Sequence, residues 1–167
     1  VRIISFSLGI IIALVISAGL SYGREQQARR NLEYTYLRSI EELSLNLDNI
    51  KNNLEKGMYT NSISMLSNLS GKLCSDAATA KAALSQLPIE ELNLEKTYRF
   101  LSQVGNYSKS LADKCAAGEQ LTDEEKSNIA SLYKYAQNLS GSMWQVEEQI
   151  QNGKISFYRA SEASADL

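Results

Sequence analysis

Apolar positions follow two patterns along this chain. From Ile3 to Leu20 they form an uncharged run of 18 residues, and beyond Arg24 they recur in alternating steps of three and four. At about 1.5 Å per residue, a helix of that length covers roughly 27 Å, close to the hydrocarbon thickness of a bilayer. With Arg2 before it and Arg24 after it, the run predicts a transmembrane anchor over residues 1–23. A cleavable signal peptide competes, since Ser17, Ala18 and Gly19 suit a peptidase, but its apolar core is normally shorter. Ser5, Gly9, Ala13 and Ser17 recur at every fourth position, so they share one helix face that admits a second backbone closely. That face is a candidate for pairing two anchors into a homodimer, set against the general abundance of small residues in membrane helices.

The three-four spacing predicts four amphipathic helices, over 24–56, 61–87, 94–117 and 123–152, within a domain of residues 24–153. In the first, Tyr36, Ile40, Leu43, Leu47, Ile50 and Leu54 form the apolar seam, and Lys56-Gly57 signals its end. The second carries Leu66, Leu69, Leu73, Ala77, Ala80, Leu84 and Leu87. It stops at Pro88, which lacks a donor and restricts its predecessor. Asn93 is placed to cap the third, which turns Leu94, Tyr98, Leu101, Val104, Leu111 and Cys115 inward before Gly118 closes it. A mid-helix glycine costs about 1 kcal/mol relative to alanine, so Gly105 suggests a tight crossing with a neighbour or a local bend. The fourth opens on the T-x-x-E capping box of Thr122 and Glu125 and buries Ile129, Leu132, Ala136, Leu139, Met143, Val146 and Ile150. Short connections make successive helices neighbours, so the expected fold class is all-α: a transmembrane helix continuing into an antiparallel up-down-up-down four-helix bundle. Residues 154–167 read as a linker towards a further C-terminal region, and Val1 in place of Met is taken as the sign of an excised piece.

Composition narrows the chemistry. After the anchor, 16 basic residues are interspersed with 19 acidic ones instead of gathering into a basic stripe, which disfavours nucleic acid as a partner. Histidine is absent, so Ser-His and Cys-His nucleophile pairs and His-containing zinc or di-iron sites are excluded from this stretch. The adjacent carboxylates Glu41-Glu42, Glu90-Glu91, Glu124-Glu125 and Glu147-Glu148 read as solvated faces, because neighbours on a helix point about 100° apart. Cys74 and Cys115 lie some eight residues, roughly 12 Å, out of register across an antiparallel hairpin, and read as buried free thiols. The Asn-x-Ser matches at Asn68, Asn106 and Asn138 are taken as chance. No catalytic residue, metal site or cofactor is expected. Tyr34, Tyr133, Tyr135 and Trp144 flank the seams, where aromatic rings either widen the core or anchor a partner.

The segment Ala82-Ala83-Leu84-Ser85-Gln86-Leu87-Pro88, followed by Lys96 to Ser108, resembles the amino-terminal region of YpeB-type spore germination proteins. Its specific part is Phe100-Leu101-Ser102-Gln103-Val104-Gly105, and Leu121-Thr122, Glu124-Glu125 and Leu132-Tyr133 fit the same pattern. The chain departs from it at Asn106, where an acidic residue is expected, and at Cys74, where many members carry tryptophan. The family's PepSY-type repeats lie outside this sequence, so their roles do not carry over.

The resemblance implies a non-enzymatic accessory of spore germination, needed for stable deposition of its partner, a cortex-lytic peptidoglycan hydrolase. It further implies a single pass through the inner spore membrane with the bundle on the extracytoplasmic side. A bare count, with Arg24, Arg29 and Arg30 after the anchor and Arg2 before it, favours the opposite orientation. The resemblance takes precedence, since any residues ahead of Val1 are outside this sequence and could carry further basic charge. The candidate interaction surface is Phe100, Gln103 and Tyr107 with Tyr34, Tyr133, Tyr135 and Trp144, although the same segment equally suits a close helix crossing. The alternative function is the extracytoplasmic four-helix sensor domain of a transmembrane receptor, which needs a second span after the fourth helix.

Overall fold

The computed structural model describes residues 2–90 and 92–152, with side chains at 27, 30–90, 92–150 and 152. Its helices are α1 (Arg2–Met58), α2 (Ile63–Leu84), α3 (Glu95–Ala117) and α4 (Asp123–Gln151), and no strand occurs among the described residues. The fold is all-α, as the periodicity predicts. The chain divides into two compact units, Val1–Thr35 and Tyr36–Leu167. Among the described residues no helix is long and apolar enough to cross a membrane. The apolar run with its Ser5, Gly9, Ala13 and Ser17 face lies outside the described side chains, and the 154–167 linker lies outside the described residues.

Within the second unit, residues of all four helices bury one apolar core. The predicted seams of α1 and α2 are its backbone: Ile40, Leu43, Leu47, Ile50 and Leu54 pack against Leu66, Leu69, Leu73, Ala77, Ala80 and Leu84. Each fully buried leucine contributes about 1.5–3 kcal/mol of hydrophobic free energy before the entropy of ordering it is subtracted. Contacts between neighbours establish the antiparallel order. Asn53 on α1 donates to Asp76 on α2 at 2.8 Å, and one turn later in α1 Gly57 lies against Leu69, earlier in α2. The same reversal relates α1 to α4, where Ser140 donates to Asp48 at a long 3.5 Å and Gly57 approaches Ile129. It relates α3 to α4 as well: Phe100 stacks on Tyr135, with ring centroids 5.0 Å apart, while the Tyr107 hydroxyl donates to the Glu125 carbonyl at 3.0 Å.

The helix ends are set by local chemistry. Thr122 and Glu125 close the predicted capping box in both directions, and Gly118, at φ 73, ends α3 with the paired bonds Gly118 N–H to Cys115 O and Glu119 N–H to Lys114 O. The Ser62 hydroxyl accepts from the Met65 N–H and starts α2. Two expectations are corrected here. α2 ends at Leu84, three residues ahead of the predicted stop, because Ser85 to Leu87 tighten into turns with bonds such as Leu87 N–H to Leu84 O. Asn93 does not cap α3: it adopts φ 53, and Leu94 N–H bonds back to Ile89 O, so the asparagine ends the preceding turn where glycine usually serves.

That reversal also sets which face of α3 points inward. Tyr98, expected in the seam, is exposed, and Thr97, Phe100 and Ser108 are buried in its place beside Leu101, Val104 and Leu111. Gly57 stands one residue before the end of α1, as read, and is crowded, whereas Gly105 is not. A Cβ on Gly57 would stand 2.8 Å from Leu69 Cδ2 and 3.5 Å from Ile129 Cγ2, so this residue, read as a helix end, lets α1 approach α2 and α4. Gly105, read as a tight crossing, has nothing within 4 Å of that position.

Candidate functional site

The structure separates the residues read as an interaction surface. Phe100 is 2% exposed and belongs to the core, which corrects its reading as a surface anchor. Its ring packs between α3 and α4 against Tyr135, with centroids 5.0 Å apart. Tyr133 is half-buried against the core, and Tyr135, 42% exposed, covers Phe100 with part of its ring. Gln103 and Trp144 are exposed, Trp144 at 67%. Tyr34 is also exposed, at 71%, but belongs to the first unit.

Tyr107 joins a polar lock between α3 and the start of α4. Lys114 donates to Glu125 at 2.8 Å and lies 3.8 Å from Glu119, and Glu125 also accepts from the Thr122 N–H and hydroxyl at 2.8 and 2.9 Å. Partial burial alone would raise the Glu125 carboxyl, but the bonds from Lys114 and Thr122 outweigh it and hold the group below the ordinary glutamate range. Burial pushes the Tyr107 phenol up to about 12, and the Glu125 carboxylate adds to that rise. Glu125 thus keeps the capping role read for it and adds the Lys114 bond, which corrects only its reading within a solvated acidic pair.

Two further polar contacts hold α1. Asp48 takes bonds from Lys51, Asn52 and Ser140, and the Lys51 bond leads in holding its carboxyl below the ordinary aspartate range against partial burial. Asp76 is shifted the other way, because its burial outweighs the Asn53 bond and the Lys72 charge. Every buried side-chain nitrogen or oxygen among the described residues has a hydrogen-bond partner. Several of these bonds are local, such as Asn46 to Glu42 O, Ser70 to Ser67 O and Ser108 to Gly105 O, so the buried polar groups are already satisfied within the chain.

A groove of about 370 Å³ lies between α2 and α3, bordered by Cys74, Ala78, Lys81, Ser102, Gly105 and Asn106, with Ala77 and Leu101 also lining it. Cys74 is an exposed free thiol here, not the buried one expected, and Cys115 is free and half-buried. The Lys81 ammonium on the groove's border sits 4.8 Å from the centre of the Tyr98 ring, exposed on α3. This groove was not read from the sequence. Its signal is the spacing of Gly71, Cys74, Ala78 and Ala82, small and exposed along one face of α2.

The family model described as YpeB N-terminal matches residues 24–159. Among curated proteins, the chain is similar to "Sporulation protein YpeB" of Halalkalibacterium halodurans, 26% identical over 140 residues that cover 81% of this chain and 31% of that protein. It is also similar to "Sporulation protein YpeB" of Oceanobacillus iheyensis, 23% identical over 145 residues, covering 84% of this chain and 32% of that one. The chain thus spans about a third of the length of the curated relatives it matches. No solved structure matches it.

Proposed function

Because this chain belongs to the YpeB N-terminal family, we propose that it serves sporulation as a non-enzymatic accessory that keeps a cortex-lytic peptidoglycan hydrolase at the inner spore membrane. In this reading residues 1–23 span the membrane once and the helices beyond them stand on the extracytoplasmic side. The observation that carries it is the family match, which takes in α2, α3, α4 and the larger part of α1. The names of the two curated relatives support the sporulation role. The physical means is confinement: holding a hydrolase in a thin layer beside its substrate raises its effective concentration without any catalytic group on the tether.

The test is recovery of the hydrolase with spore membranes from cells producing the full chain, compared with cells producing an unrelated anchored bundle. Enrichment with this chain supports the reading, and equal recovery overturns it. Gln103→Ala and Tyr135→Ala then examine the exposed remainder of the predicted surface, since Phe100→Ala would read core stability instead.

A further inference from the structure

Opposite sides of the bundle carry opposite charge. α2 and α3 hold six basic residues against three acidic ones, whereas α4 and the Tyr36–Met58 part of α1 hold five against nine. The α2–α3 groove has Lys81 on its border, no acidic residue among those lining it, and exposed Lys109 one turn beyond Gly105. The α1–α4 face presents two exposed apolar side chains, Trp144 and Leu45, the latter 63% exposed. The Asp48–Ser140 contact fixes the local register, which brings the α4 turn carrying Trp144 alongside the α1 turns carrying Glu41 and Leu45. Exposed Glu148 follows one turn after Trp144. One face is therefore a groove bordered largely by small residues and by Lys81, and the other is a projecting indole among carboxylates.

We propose that the chain associates with a second copy of itself head to tail, the α1–α4 face of one copy seated on the α2–α3 groove of the next. Trp144 enters the groove, and Glu41 and Glu148 meet Lys81 and Lys109. A second copy is the occupant because the complementary surface is carried by the same chain. A two-fold pairing of groove with groove would instead set Lys81 and Lys109 against their own images. Each added copy leaves one groove and one Trp144 face free, so the association extends into rows or closes into a ring. Neither the hydrolase partnership nor the anchor's small-residue face enters this inference.

The test uses the full chain with Cys115→Ser and Gly141→Cys, which leaves native Cys74 in the groove and places one thiol on the α4 face. Gly141 has no atom within 4 Å of where its Cβ would stand, so the substitution fits. Mild oxidation should give a disulfide-linked ladder of dimers, trimers and larger species, lost when Lys81→Glu and Lys109→Glu are added. The Cys115→Ser chain with Cys74 alone should remain monomeric on a non-reducing gel. A chain with both thiols that gives no ladder overturns the proposal, as does a dimer formed through Cys74 alone or a ladder indifferent to the charge reversals. Independently of any substitution, the average mass of the unaltered chain in detergent should fall as salt is raised from low to high, and a mass unmoved by salt overturns it too.

Discussion

Around Gly57 the bundle is closed, and around Gly105 it is open. Gly57 lies in the last turn of α1 and Gly105 in the middle of α3, and one stands against Leu69 and Ile129 while the other borders a groove. The contrast teaches that a helical glycine marks a place where a side chain is missing and does not say whether a neighbour has taken the space. At Gly57 the absent Cβ brings three helices together. At Gly105 it borders a cleft that no described residue fills.

The comparison can be broken most forcefully at Leu69, which fills the space beside Gly57. Leu69→Ala should cost about 2–5 kcal/mol in urea unfolding, and a cost within experimental error of zero would show that the closed seam is not packed as described. Next in size, Gly57→Leu should destabilise by about 1–3 kcal/mol through overpacking, and the loss should shrink when Leu69→Ala opens room for it. If the two changes are additive, Gly57 and Leu69 do not share that space. Gly105→Ala should act the other way and raise stability by about 0.5–1 kcal/mol, because it gains helix propensity and meets no neighbour. A loss there would mean that the groove is filled.

The smallest effects separate the charged contacts of the closed seams. Asp48 and Glu125 are held below their ordinary ranges, so the stability they contribute is present at neutral pH and is lost as pH falls through their folded-state values. Asp76 is raised, so between its ordinary and raised values the folded chain holds more protons, and its contribution falls as pH rises through that window. Asp76→Asn should therefore slightly raise stability at neutral pH and steepen the acid limb of a stability–pH curve, whereas Asp48→Asn should flatten it. Equal slopes in the two variants would remove the distinction between the seams.

Most of the helical framework was legible in the residues alone, because the signals behind it are local. The heptad steps from Ile40 to Leu54 and from Leu66 to Leu84 name residues that are buried, and Thr122 with Glu125 and Gly118 mark ends that form as read. Candidate surfaces were less legible. Phe100 and Tyr98 are neighbours but one in the chain; periodicity alone put Tyr98 in the seam and Phe100 outside it, and the structure reverses both. The Schellman-type turn at Asn93 precedes the α3 face that buries Phe100 and leaves Tyr98 beside Lys81. The buried face of α3 keeps Leu101, Val104 and Leu111 as read and adds Thr97, Phe100 and Ser108.

Number, kind and approximate limits of the helices, and the apolar stripe on α1, α2 and α4, follow from the chain's own order, since hydrogen bonds and caps connect residues at most a few positions apart. Which glycine is crowded, which aromatic is inside, and where basic and acidic faces end up depend on how helices rotate and slide against one another. Those choices are made by the summed volumes and charges of side chains far apart in sequence, which must fill one interior at close-packed density. No single segment contains that information.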